Sequence, residues 1–276
     1  MVVFNEEEHK YTNVKGKQYI SSTTIIHKYA QEFDEKFWGL YKALERIDIN
    51  FVKNKGKYVK VKNEDVLITL VPSYIDLDVL DVVKRIILKE WKDKNDKSKV
   101  RGTKIHLEKE NGSLAKPKEL FEGLSYKMNP KLALDFGNIN FDYFTELKDG
   151  YHTELLLWNH EFEIAGMSDV VIVETDKFGD RWVSILDYKT NKEIKQSNKF
   201  QKMKYPLEHF DDCNYSHYIL QLSLYCYLLE CMGFKVKHLR LIWINEFGHE
   251  IPFVLQYKKQ DVINMIEHYN NTKNES

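Results

Sequence analysis

The sequence predicts an α/β fold, and three observations carry that expectation. Apolar stripes at helical spacing flank a section of alternating, β-branched segments that begins near His152. Those segments are separated by turn-forming residues and not by helices, as in an antiparallel meander. The longest apolar run, YSHYILQLSLYCYLLECMG, is of helix length and closes on Gly233. The order helix, three strands, helix, strands has no internal repeat and no clear linker, so a single domain over 1–276 is expected. It divides into an N-terminal hairpin with helical decoration over 1–99, a core over 100–233, and a C-terminal hairpin and tail over 234–276.

The elements follow in order. VVFNEEEHKYTNVKGKQYIS reads as a β-hairpin whose turn holds Asn13 and Gly16. A helix capped by Ser22 or Thr23 should carry Ile25, Ile26, Tyr29, Phe33 and Phe37. The lysine-rich stretch from about 50 to 70, with KYVKVKNEDVLITLV, alternates weakly and suggests a strand pair. From Asp76, the residues Leu77, Leu80, Val83, Ile86, Ile87 and Trp91 form a helical stripe that ends at the polar run KDKNDKSK. A separate helix is expected from Gly102 to about Glu110, ending near Asn111-Gly112, with one or two short helices after Pro117. ELLLWN, FEIAGMSDVVIVET and DRWVSILDYKT then give three strands, turning at Asn159-His160 and at Asp176 to Asp180. After the long helix, KVKHLRLIWINEFGHEIPFVLQY makes a last hairpin turning at Phe247-Gly248.

Composition excludes several classes. The start MVVFNEEEHKY lacks a secretory pattern, and no run approaches the roughly 20 apolar residues that span a bilayer, so a soluble, cytoplasmic protein without a membrane partner is expected, in the bacterial host cytoplasm if the chain is viral. Three cysteines, Cys213, Cys226 and Cys231, are too few for a disulfide framework and lack zinc-site spacing. The net charge of −1 rules out a basic nucleic-acid coat, though not a local basic strip. Lys189, Lys192, Lys195, Lys199, Lys202 and Lys204, interleaved with Phe200 and Tyr205, read equally as such a strip or as a solvated loop.

The chemistry concentrates in ILDYKT. Asp187 and Lys189 share one face of a strand with apolar Val183 and Ile185, where charges are costly unless they pair or bind something. Asp169 lies nine residues before Phe178 and Asp187 nine after it, so a turn centred there sets the two aspartates nearly opposite. Facing carboxylates repel unless a cation lies between them.

With Gly102 and His106 in RGTKIHLEKE, Gly166 and Asp169 in AGMSD, Asp187 and Lys189 in DYKT, and Gln221 and Tyr225 in QLSLY, the chain resembles the PD-(D/E)XK nuclease superfamily, in its RecB-like and λ-exonuclease-like branch. The likeness covers about residues 100 to 230 and keeps the family order; ISSTTI after the first hairpin is a looser likeness to viral and RecB-like exonucleases. It implies a restriction-endonuclease-like core, a mixed central sheet flanked by helices. It also implies His106, Asp169, Asp187 and the carbonyl of Tyr188 as metal ligands, with Lys189 orienting or deprotonating water and neutralising phosphate. Glu154 matches an acidic position that approaches a second metal, and Arg101, Thr103 and Thr190 are further phosphate contacts, while Glu108 and Glu110 face water. Without the likeness, Gln221 and Tyr225 read equally as core residues, and His106 more often as a polar helix residue.

Oxygen ligands with one imidazole suit Mg²⁺ or Mn²⁺. Three cysteines, none before Cys213, exclude the four-cysteine iron–sulfur cluster of some relatives. Without a phosphate-binding G-x-x-x-x-G-K-[ST] loop, any unwinding falls to a separate helicase, and a strand-annealing or single-strand-binding protein is a further expected partner. The expectation is a stand-alone exonuclease acting on DNA ends, of the viral or bacterial recombination, replication and repair type. A structure-specific or restriction-type endonuclease and a catalytically silent nucleic-acid-binding fold remain alternatives, and RNA remains open as substrate.

Overall fold

The middle of the chain folds as the expected meander: β4 (Gly150–Asn159), β5 (Ile164–Thr175) and β6 (Arg181–Lys189), each antiparallel to the next. The computed structural model describes residues 2–5, 8–110 and 147–273. Around the meander a mixed sheet of 8 strands is assembled in the order β1-β2-β3-β5-β6-β7-β8, with β4 on the remaining edge of β5. The parallel pairs are β3 with β5 and β6 with β7.

The N-terminal segment forms three strands where a hairpin was expected: β1 (Val2–Asn5), β2 (Lys10–Asn13) and β3 (Gln18–Ser21). The predicted turn lies between β2 and β3, with Gly16 at φ 78°. The next helix, α1, covers only Ser22–Lys28 and is capped by Ser21, whose hydroxyl accepts from Thr24 N. Phe33 and Phe37 do not belong to it, because Asp34 caps a new helix, α2 (Glu35–Ile47), by accepting from Phe37 N.

The chain divides into two compact units, residues 32–101 and the remainder. The unit over 32–101 is helical throughout, and the expected strand pair at 50–70 is absent. Its place is taken by α3 (Ile49–Tyr58) and α4 (Glu64–Thr69), capped by Asp48 and Asn63. Local cap chemistry outweighed a weak alternation. The stripe after Asp76 lies on α5 (Leu77–Glu110), which continues through KDKNDKSK. That run holds neither Gly nor Pro, so nothing in it breaks a helix. Leu80 and Ile87 are buried with Phe37, Leu44, Phe51 and Leu67, whereas Leu77 and Ile86 are exposed. From Gly102 onward α5 belongs to the other unit. The helices expected after Pro117 and the end at Asn111-Gly112 lie outside the described residues.

In the sheet unit, α6 (Asn214–Cys231) is the predicted apolar helix, with Gly233 at φ 92° after it. It packs one sheet face through Leu220, Leu224 and Leu228 against Val171, Val173, Val183 and Ile185. The final hairpin, β7 (Lys235–Ile244) and β8 (Glu250–Leu255), turns at Gly248 as expected. The tail is not a mere polar extension, since α7 (Lys259–Lys273) buries Val262, Met265 and Ile266 in the same core. No helix among the described residues is long and apolar enough to cross a membrane.

Candidate active site

Two ladders bring three acidic residues to one level of the sheet. The β5–β6 ladder runs from Thr175↔Arg181 to Val170↔Leu186, and one further step in that register sets Asp169 against Asp187. The β4–β5 ladder skips one pair between Thr153↔Val170 and Leu155↔Ser168, and Glu154 and Asp169 stand at the skipped position. The expected facing of Asp169 and Asp187 thus follows from carrying the observed register one pair further.

Side-chain alternation reverses at this level. Tyr151, Val170, Ile172, Leu186 and Tyr188 share one apolar cluster with Ile105 of α5, while Leu155, Leu157, Val171 and Ile185 lie in the cluster under α6. Tyr151 and Leu155 are four apart and would face the same way on an unbroken strand. The reversal falls at Glu154, whose φ of 48° lies in the left-handed region that a non-glycine residue seldom adopts.

On the edge of β5 away from β4, β3 pairs at Ile164 and Ala165 and β6 pairs from Val170 onward, so the ladder is open between them. Asp169 fills part of this fork, because its Oδ2 accepts from the Tyr188 N–H at 2.8 Å. The same oxygen lies 3.4 Å from His106 Nδ1 on α5. His106, Glu154 and Asp169 present donor atoms within 4.8 Å of one another. One imidazole and two carboxylates at that separation fit a hard or borderline divalent cation. Asp187 is outside this group: it is 1% exposed, and its Oδ2 is held by Lys189 Nζ at 2.5 Å.

Ionisation follows from these neighbours. Burial, and then the charge of Asp169, push the Asp187 carboxyl up to about 6. Burial also opposes the charge on Asp169, but His106, Lys189 and the Tyr188 N–H outweigh it and hold this carboxyl below its ordinary value. For His106, burial is outweighed by Asp169 and Asp187, which raise it to about 9. Lys189 is raised in spite of burial by Asp187 and Asp169, and its ammonium lies 5.0 Å from the Tyr218 ring centroid. With no metal bound, Lys189 is therefore held as a cation at neutral pH and is placed to neutralise charge.

The glycines of the motifs have local reasons. A Cβ on Gly166 would come within 2.6 Å of Tyr225 Cε1 and 3.1 Å of Ser22 Cβ, so only glycine lets both α1 and α6 approach β5 here. Ser22 Oγ donates to the Ala165 carbonyl at 3.2 Å, and Gln221 Nε2 donates to Tyr225 Oη at 3.0 Å inside the core. The Gln221–Tyr225 pair thus reaches the strand carrying Asp169 through Gly166. Gly102 is less constrained, its Cβ position being 3.4 Å from Thr190 Oγ1.

One buried cation escaped the sequence reading. Lys109 is 3% exposed, is paired with Glu250 of β8, and lies 5.0 Å from the Tyr188 ring centroid. It lines the same small cavity as His106, Glu154, Asp169 and Tyr151. Its position three residues beyond His106, hence on the same helical face, was the available signal. The lysine strip divides: Lys195 pairs with Glu193 and Lys202 with Asp211, while Phe200 stands exposed.

No family model matches the chain, and no curated protein matches it.

Proposed function

We propose that this protein is a divalent-metal-dependent deoxyribonuclease of the PD-(D/E)XK type, acting as an exonuclease on DNA ends. The observation that supports it best is the meeting, around one opening in the sheet, of a His106–Glu154–Asp169 donor set with a buried Asp187–Lys189 pair. Nothing in packing calls for this concentration of charge, which is costly in an apolar sheet unless it serves chemistry.

His106, Glu154 and Asp169 would hold Mg²⁺ or Mn²⁺, which when bound supplies Lewis acidity toward the phosphodiester and its attacking water. The residues of the chain do the rest. The Tyr188 N–H fixes the rotamer of Asp169. Asp187 anchors the Lys189 ammonium, which faces the added negative charge of the five-coordinate phosphate in the transition state. Tyr225, seated on Gly166 and bonded to Gln221, fixes the strand beneath them.

The test is an assay of linear, closed-circular and single-stranded DNA, labelled separately at either end, with Mg²⁺, Mn²⁺ or EDTA. Metal-dependent shortening of linear DNA alone is expected. Cutting of closed circles would make the enzyme an endonuclease, and absence of cutting with every metal would leave a nucleic-acid-binding fold.

A further inference from the structure

Beyond the metal centre, we infer that the β7–β8 turn, with Trp243, Phe247 and His249, is a stacking rim that receives unpaired bases of a DNA strand whose phosphates lie at Lys189. The strand's identity as DNA rests on the proposed nuclease reading; the rim itself rests on separate observations.

The first is topological. β6 and β7 are parallel, and Lys189 pairs in register with Trp243. The sheet therefore carries Trp243 beside the lysine, and the turn that follows β7 projects past the same end. Phe247 is four residues beyond Trp243, at most roughly 13 Å at strand rise. The indole is fixed there, because Trp243 Nε1 donates to the Asn191 carbonyl at 2.8 Å and so ties β7 to the segment leaving Lys189.

The second is the state of the turn. Phe247 is 77% exposed, and its ring centroid is 6.2 Å from that of exposed His249, with 38° between the planes. The loop is not slack: Asn245 Oδ1 accepts from the N–H groups of both Phe247 and His249 at 3.0 Å, and Gly248 takes a φ of 82°. A large apolar ring is thus held out in water on a fixed turn.

The third is the placement of charge. Cations lie at the Lys189 end, with exposed Lys192 directly after the carbonyl that holds Trp243. The tip bears exposed Glu246 beside its aromatics. A phosphate backbone would be attracted to the first and repelled from the second, whereas base faces suit the tip. In a paired duplex the phosphates lie outermost, so an unpaired strand matches this pattern better.

Anisotropy titrations of the whole protein in EDTA, with a labelled single-stranded oligonucleotide and the corresponding blunt duplex, decide the matter without hydrolysis. Phe247→Ala should weaken single-strand binding about 5- to 140-fold, the value of losing one stacked base. Phe247→Trp should restore it, and the dependence on salt should keep its slope because no cation is removed. Duplex binding should change less than about twofold. Single-strand binding unaltered by Phe247→Ala and by His249→Ala, or equal loss on both DNAs, would overturn the inference, as would absence of single-strand binding by the unmodified chain. Should binding depend on Phe247 in a protein that never cuts DNA, the rim stands and the nuclease reading falls.

Discussion

The two units bury polar groups for different reasons. In the helical unit over 32–101, Asp48 is the buried charge among the described residues, and its role is local: Oδ1 accepts from Asn50 N at 2.9 Å to cap α3, and Oδ2 accepts from Tyr74 Oη at 3.0 Å. In the sheet unit Asp187 and Lys109 are buried without capping a helix: Lys109 is paired with Glu250 of a distant hairpin, and Asp187 with Lys189 two residues along its own strand. Buried charge that completes a helix is structural; buried charge that caps nothing is what the proposed function draws on.

The strongest way to break this contrast is to remove the charges at the opening. Lys189→Ala and Asp187→Asn should each lower metal-dependent DNA cleavage by about 10³-fold or more while the near-ultraviolet circular dichroism is unchanged. Loss of the folded signal instead would make the pair structural, like Asp48.

The next effect is on pH dependence. Asp169 and Asp187 keep His106 protonated up to about pH 9, yet a metal ligand must be neutral. Apparent Mn²⁺ affinity should fall roughly tenfold per unit as the pH drops below 9 and level off above it, and His106→Ala should flatten this slope. Calorimetry in buffers of different ionisation enthalpy would read the released proton directly. In metal-free protein the sign is opposite. The folded state favours protonated His106, so its contribution to stability is complete below the unfolded value near 6.5 and is lost as pH rises through about 9.

The smallest effects separate the units by stability. Gly166→Ala should cost about 1–3 kcal/mol, because Tyr225 and Ser22 must both give way, and should also lower cleavage. Asp48→Ala should cost about 1 kcal/mol through its lost cap, with cleavage unaltered. Urea melts beside cleavage rates check both, and a cleavage defect in Asp48→Ala would erase the distinction.

Much of the sheet was legible because strands repeat with period two. The turn centred on Phe178 gave the register that sets Asp169 against Asp187, and Gly233 and Gly248 marked real ends. The helical unit was less legible, because weak alternation in KYVKVK masked the caps Asp48 and Asn63. The polar run that seemed to end α5 is simply a solvated stretch of helix, mostly exposed on all sides. At the site, the residues could be named but their grouping could not. Glu154 joins His106 and Asp169 through a left-handed backbone that no side chain announces, and Lys109 is buried only because Glu250 arrives from a distant hairpin. Reversed alternation and long-range pairing are tertiary facts, and local spacing does not encode them.

The Tyr188 N–H, spent on the Asp169 carboxylate of β5 and not on a backbone carbonyl, has a spectroscopic consequence. Its amide proton hangs on one carboxylate oxygen, so a single nitrogen–proton resonance in the middle of the sheet becomes a gauge of how that oxygen is shared. A cation drawing on Asp169 would thin the electron density this amide sees and shift its signal, while amides deeper in the ladder keep theirs. One labelled tyrosine could then follow the filling of the centre in a molecule at rest, with no DNA present.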